Sequence, residues 1–174
     1  MRLFIYEVSV NENLKINKAG INLIKYYEGV YLKAYKCPAG VWTIGIGHTN
    51  VMGGFQIRPD SVITERQADE ILLQDLEKCY KDVRELVKVP LDECQFSTLV
   101  SFIFNLGYGN LKSSTLLKLL NSGNYNAVPA QILRWNKCEG KPLLGLTRRR
   151  QAEADLWDNC GHGLMPQEVD NVDV

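Results

Sequence analysis

The sequence predicts an α+β domain, mostly helical, in which a small antiparallel sheet lobe near the N-terminus is joined by a long helix to a helical lobe. Three observations carry that reading. Apolar residues recur at helical spacing along most of the chain. One stretch, Val30 to Thr49, changes instead to β-branched and aromatic residues punctuated by Gly and Pro. Directly after it comes the longest periodic run, from Ala68 to Val87. At 174 residues the chain is large enough to bury one core without metal or disulfide staples. Its 45% hydrophobic and 23% charged residues exclude a disordered or collagen-like chain.

The elements follow in order. Asn17 caps a helix with apolar positions Ile21, Leu23, Ile24 and Tyr27, which runs to Glu28 and stops at Gly29. Val30 to Thr49 reads as an antiparallel hairpin about a turn at Cys37-Pro38-Ala39-Gly40. Thr64 with Gln67 forms a capping box that opens the long helix through Ile71, Leu72, Leu76, Cys79, Val83 and Leu86, ended by Pro90. Asp92 with Gln95 repeats the device for a helix that turns Phe96, Leu99, Val100, Ile103 and Phe104 inward and closes at Gly107 and Gly109. Shorter helices are expected at Ser114 to Leu120 and at Tyr125 to Trp135, with Pro129 in the first turn of the second or kinking it. Thr147 is expected to cap a last helix through Trp157. Residues 1–160 read as one domain, and 161–174 as an acidic, flexible tail.

Lys and Arg number 20 and Asp and Glu number 20, which excludes a strongly basic nucleic-acid binder. Glu168, Asp170 and Asp173 lie in the tail with no Lys or Arg, so the body before it is mildly basic and suits an anionic partner. No segment is apolar for long enough to span a bilayer, and Arg2 and Glu7 interrupt the opening residues, so a soluble chain without its own export signal is expected. The five cysteines Cys37, Cys79, Cys94, Cys138 and Cys160 are scattered singly beside only two His. That pattern indicates neither a zinc site nor a full disulfide framework, and synthesis in a reducing compartment is expected. Cys79 falls on an apolar helix face as an inert core residue, while the pairing of Cys94, Cys138 and Cys160 stays open.

Glu28 is the first candidate for chemistry. It ends a helix, where the negative pole of the macrodipole disfavours a second negative charge and suits a general acid. A Glu before a Gly is also an ordinary exposed helix terminus, so its neighbours decide. Cys37 and Thr43 follow within Gly40-Val41-Trp42-Thr43-Ile44-Gly45-Ile46-Gly47-His48-Thr49. Later come Phe104-Asn105-Leu106-Gly107, Ser114-Thr115-Leu116-Leu117, Arg134-Trp135-Asn136 and Gly145-Leu146-Thr147-Arg148-Arg149-Arg150 with Glu153 and Leu156-Trp157.

In these motifs, taken in order, the sequence resembles the phage-type lysozymes, the endolysins of glycoside hydrolase family 24, from about Asn17 to Trp157. The resemblance implies a two-lobed lysozyme-like fold, a glycan cleft between the lobes, and hydrolysis of the β-1,4 bond after N-acetylmuramic acid in bacterial peptidoglycan. It implies Glu28 as general acid, Thr43 as the residue holding the attacking water, and Cys37 at a position that is Asp in most members and Cys in some. A thiol with an ordinary pKa of about 8.5 is mostly neutral near pH 7, and a nearby Glu28 carboxylate is expected to lower the thiolate fraction further. Cys37 then acts as a weaker base or nucleophile, or Thr43 and water suffice, or the site is inactive; activity is the expectation, with oxidation of Cys37 lowering it.

Tyr35, Phe104, Asn105, Trp135 and Arg149 are the candidate substrate-binding residues. Phe104 is equally readable as core. Asn105 either bonds an N-acetyl group or orients the hairpin. Trp135 is the best of the three tryptophans for stacking on a sugar. The Arg148-Arg149-Arg150 run suits stem-peptide carboxylates, although Arg149 and Glu153 also make an ordinary i,i+4 pair. His48 is expected to be structural, paired with a carboxylate on the long helix such as Asp69. The whole reads as a monomeric bacteriolytic muramidase of a phage or prophage, made in the host cytoplasm and dependent on a holin to reach the wall. It needs no metal or cofactor and binds neither nucleic acid nor, stably, a membrane. A non-catalytic wall-binding or scaffold domain, and a lytic transglycosylase using Glu28 alone, are the alternatives.

Overall fold

The computed structural model describes residues 10–159; Cys160 and the tail expected from Gly161 lie outside them. Helix α1, Lys18–Glu28, begins where Asn17 Oδ1 accepts from Gly20 N at 2.8 Å and ends at Gly29, whose φ of +74° stops the helix. Leu23 and Ile24 bury its apolar face against α3 (Glu93–Leu106) and α7 (Leu144–Asp158). Docking on those two helices carries Glu28, at the C-terminal tip, to the junction between sheet and helices.

The sheet has order β1-β2-β3, all antiparallel: Tyr31–Lys36, Trp42–Gly45 and His48–Thr49. The expected turn joins β1 to β2, with Gly40 N donating to Cys37 O at 2.7 Å and Cys37 N to Val41 O at 3.0 Å. The expected hairpin acquires a third strand. Gly45 and Gly47, at φ +62° and +72°, reverse the chain, so that His48 and Thr49 return to pair with Ile44 and Thr43. Two residues free of Cβ strain at positive φ make so short a reversal possible.

Helix α2, Glu65–Leu86, carries both halves of its capping box: Gln67 N donates to Thr64 Oγ1, and Thr64 N to Gln67 Oε1. It packs against all three strands and also against α3 and the short helix Tyr108–Lys112, so one rigid element spans both lobes. Its face of Ala68, Ile71, Leu72, Leu76, Cys79, Val83 and Leu86 is buried. Burial pushes the Cys79 thiol up to about 12, which makes it inert.

The helical lobe departs from expectation at three joints. Gly107 ends α3 at φ +85°, but Gly109 lies inside a short further helix, α4 (Tyr108–Lys112). Ser114 caps α5 (Thr115–Asn121), and a 3-10 turn at Tyr125–Ala127 leads into α6 (Val128–Leu133), with Pro129 in its first turn. An unforeseen hairpin of β4 (Lys137–Cys138) and β5 (Lys141–Pro142) then turns through Glu139 and Gly140, at φ +50° and +79°. Helix α7 consequently begins at Leu144, ahead of the expected cap Thr147. The Thr147 hydroxyl instead ties down the hairpin base, accepting from Asn136 Nδ2 at 3.1 Å and donating to Leu143 O at 2.9 Å.

His48 is buried beneath the sheet and meets Asp75 of α2 at 2.8 Å, not Asp69, which pairs with Lys25. Asp75 lies on the apolar face of α2 beside Leu72, Leu76 and Cys79, whereas Asp69 is half-exposed on another face. The imidazole Nδ1 points at the Asp75 carboxylate and Nε2 at the Phe55 carbonyl, at 2.8 Å each. Both partners are acceptors, so the doubly protonated imidazolium satisfies both contacts. Burial opposes that charge, but the bond to Asp75, the Phe55 carbonyl and the charge of Asp75 outweigh it and raise the pKa above the ordinary value. A raised folded-state pKa gives stability that is fully present below the unfolded pKa of about 6.5 and is lost as pH rises through the folded value. Urea unfolding is therefore expected to show a midpoint that declines as pH rises from 6 upward, and a His48→Asn protein that lacks this decline. Equal slopes in the two proteins would count against the pair.

Among the described residues no helix is long and apolar enough to cross a membrane, and no group of three or more His, Cys, Asp or Glu is placed to hold a metal ion.

Candidate active site

Glu28 is fixed by one of its two oxygens. Arg149 Nη1 donates to Oε1 at 2.6 Å, and the Arg149 side chain is only 4% exposed while that of Glu28 is 21% exposed. The other oxygen, Oε2, lies against Gly47, where a Cβ would sit 3.1 Å from it. Gly47 therefore serves twice: its positive φ turns the strand, and its missing side chain admits the carboxyl. The resulting carboxyl has a committed oxygen facing the protein and an open one facing the cleft. Reading the helix end alone misses the guanidinium, whose attraction opposes the field of the helix terminus.

Behind Arg149 stands a buried cluster. Glu153 is fully buried and accepts from Ser101 Oγ at 2.7 Å and from Arg150 Nη2 at 3.0 Å, while Arg149 Nε reaches it at 3.4 Å. Arg150 Nε also lies 2.8 Å from Glu153 Oε2, a charge contact off the hydrogen-bond line, and Arg149 Nη2 and Arg150 Nη1 have no hydrogen-bond partner among the described residues. Burial pushes Glu153 up, against the pull of the two guanidinium groups. Tyr27 and Phe102 rings lie 5.9 and 5.4 Å from the guanidinium carbons of Arg149 and Arg150. Of the arginine run only Arg148 is exposed. Arg149, expected at the substrate, is buried, with its guanidinium turned to Glu28 and Glu153. The Arg149/Glu153 spacing signals the ion pair, but nothing in the spacing signals its burial.

Cys37 and Thr43 face each other across the turn. The Thr43 hydroxyl donates to Val41 O at 3.2 Å and also interacts with the Cys37 thiol. Backbone N–H of Val41, then that of Ala39 and the Thr43 hydroxyl, lower the Cys37 pKa, outweighing desolvation. The expected loss of thiolate to the Glu28 charge is therefore reversed, because the turn aims donors at the sulfur. Tyr35 pairs with Thr43 across the strands, and its hydroxyl pKa is raised by burial and by the charges of Tyr31, Cys37 and Glu28.

A cleft of about 430 Å³ opens in front of Glu28, lined also by Gly47, Thr49, Met52, Phe104 and Asn105. Phe104 is half-buried, part core and part cleft wall. Arg150 Nη2 donates to Asn105 Oδ1 at 3.0 Å, which leaves the Asn105 amide N–H groups for a ligand carbonyl. Thr49 and Met52 are cleft residues that sequence reasoning missed; Thr49 sits within the quoted motif and pairs with Thr43. Trp135 lies elsewhere, edge-to-face on Phe102 at 5.6 Å, in a second cavity of about 340 Å³ with Ser114, Gln131 and Arg134. Cys138 is exposed and Cys94 is disulfide-bonded.

A small sheet and a helical lobe bridged by one helix, with a carboxyl in the cleft between them, define the lysozyme class of fold. The crystal structure of a P22 lysozyme mutant is similar over 84% of this chain and 99% of its own, with TM-score 0.76 and 36% identity. The endolysin of Acyrthosiphon pisum secondary endosymbiont phage 1 is 41% identical over 151 residues, 84% of this chain and all of that protein. That of Bacillus phage B103 is 43% identical over 146 residues; the matched part is 83% of this chain and about half, 54%, of the relative's length. Residues 25–153 match the phage lysozyme family, and the chain belongs to it.

Proposed function

We propose that this protein is an endolysin that hydrolyses the β-1,4 bond between N-acetylmuramic acid and N-acetylglucosamine in bacterial peptidoglycan, and so lyses its host. The observation that carries the reading is Glu28, held through Oε1 by Arg149 with Oε2 open to the cleft. A proton on Oε2 passes to the glycosidic oxygen as the bond breaks and positive charge develops at the sugar ring. Water adds its oxygen to that carbon and gives up a proton. Thr43 orients the water, and the Cys37 thiolate, favoured by the donors around it, receives the proton. Phe104 and Asn105 hold the strand in the cleft, Asn105 through an N-acetyl carbonyl, and Tyr35 supports the same substrate. Trp135, with Arg134 in the second cavity, contacts a more distant part of it. His48 holds the sheet that carries Thr43. The protein acts as a monomer, is made in the host cytoplasm, and reaches the wall after a holin opens the membrane.

Mass spectrometry of purified peptidoglycan digests tests the reading. Reducing muropeptides support it, 1,6-anhydro ends move the reaction to transglycosylation, and absence of products from folded, reduced protein leaves a wall-binding domain. Cys37→Ser removes an ionisable proton acceptor, and turnover is expected to fall about 10- to 100-fold, toward the lower range for general-base loss. Cys37→Asp is expected to stay active and to become insensitive to iodoacetamide, which inactivates the parent. Full activity in Cys37→Ser would remove the thiol from the mechanism.

A further inference from the structure

The row of sheet residues that starts at Thr49 in the cleft continues through Thr43 toward two tyrosines. Directly opposed residues in an antiparallel pair share a face. Tyr35 opposes Thr43 and Thr43 opposes Thr49, so these three form one row, and Thr49 lines the cleft with Glu28. An irregularity in β1 between Tyr31 and Tyr35 brings the two rings together, with centroids 4.5 Å apart and planes at 43°.

Tyr31 also folds back over the residue that follows Glu28. A Cβ at Gly29 would lie 2.9 Å from Tyr31 Cε2, so glycine is needed there both for φ +74° and for the ring. Despite these two contacts Tyr31 remains 47% exposed. An aromatic ring held in place and left open beside the acid is a surface that a carbohydrate can use. A pyranose presents a face of C–H groups that packs on an aromatic face, and hydroxyls at its rim that bond phenolic oxygens.

We infer that Tyr31 and Tyr35 form a stacking platform for one N-acetylhexosamine ring of the glycan strand, adjoining the scissile bond at Glu28. The inference rests on the glycan-hydrolase reading and extends it, since Tyr31 belongs to none of the motifs that suggest that reading. The platform sets how firmly the strand is held and in which register it lies, leaving proton transfer to Glu28.

The test is calorimetric titration of soluble, peptide-free strands of alternating N-acetylglucosamine and N-acetylmuramic acid into Glu28→Gln protein, with and without a change at Tyr31. Tyr31→Leu keeps an apolar group over Gly29 but removes the aromatic face, and is expected to weaken binding roughly tenfold, the effect of uncovering part of one ring. Tyr31→Phe is expected to retain binding within about twofold. In the otherwise unmodified enzyme, Tyr31→Leu is expected to raise KM by the same factor with kcat little changed. Thermal unfolding confirms that each variant is folded. A folded Tyr31→Leu protein that binds and turns over like the parent overturns the platform while leaving hydrolysis intact. Tyr31-dependent binding by a wild type that releases no reducing ends would overturn hydrolysis and leave the platform standing.

Discussion

Glu28→Gln is expected to reduce the release of reducing ends from peptidoglycan by about 10²- to 10⁴-fold, the range for loss of a general acid, without unfolding the protein. The amide keeps the shape of the carboxyl and an oxygen for Arg149 Nη1, so the 2.6 Å contact is replaced by a neutral-acceptor bond. What disappears is the oxygen above Gly47 that can take up a proton and deliver it to a glycosidic oxygen. Because Glu28 lies at the rim of the buried cluster and Glu153 remains to face Arg149, the stability change is expected to be small beside the activity change. Turbidity clearing of permeabilised Gram-negative cells, read with circular dichroism, separates the two. If clearing persists at more than a tenth of the wild-type rate, the proton donor is another group and the assignment of the acid fails. Glu28→Asp retains a proton donor but withdraws it from Arg149 by one methylene, and is expected to fall between the two.

Much of this arrangement is legible in the sequence, because it is written in contacts between near neighbours. The caps at Asn17, Thr64, Asp92 and Ser114 each bond within three residues along the chain. The stop at Gly29 and the turn before Gly40 are equally local. The third strand is not read from the sequence: Gly45 and Gly47 mark a reversal, but the β-branched residues running through Ile46 mask it. The partners of the acid were not legible in the same way. Arg149 lies 121 residues from Glu28, and only the docking of α1 on α7 brings them together. Asp75 is an intermediate case. Its place beside Leu72, Leu76 and Cys79 marks it as facing the sheet, yet a carboxylate on an apolar face looks anomalous until the imidazolium above it is known. The lowered pKa of Cys37 depends on where the backbone N–H groups of the turn point, which residue identity does not record.

The largest loss of stability is expected from Glu153→Ala. Glu153 has no exposure, and neither has Arg150; among the described residues the carboxylate is the only anion paired with Arg150 and one of two paired with Arg149. Its removal leaves the Arg150 charge buried with Asn105 as its one side-chain acceptor among the described residues, and takes from Ser101 the carboxylate it donates to. The cluster has no slack to absorb this, since Arg149 Nη2 and Arg150 Nη1 already lack hydrogen-bond partners among the described residues. Breaking a buried pair from one side costs about 3–5 kcal/mol, because an uncompensated charge remains in a poorly polarisable interior. For a chain of this size that corresponds to a fall of roughly 10 °C in Tm, at about 2–4 °C per kcal/mol. The effect extends to catalysis. With Glu153 gone, Arg149 is held by Glu28 alone, and Arg150 no longer fixes Asn105 against a satisfied anion, so both sides of the cleft loosen. Residual activity below the unfolding range is therefore expected to fall as well, with KM rising. Urea denaturation of wild type, Glu153→Ala and Arg150→Met/Glu153→Leu decides the matter. The double variant exchanges the ion pair for apolar groups of similar bulk and is expected to recover part of the lost stability, since it leaves one buried charge fewer. A Glu153→Ala protein destabilised by less than about 1 kcal/mol would mean that water enters the cluster and that Arg149 positions Glu28 without support from Glu153.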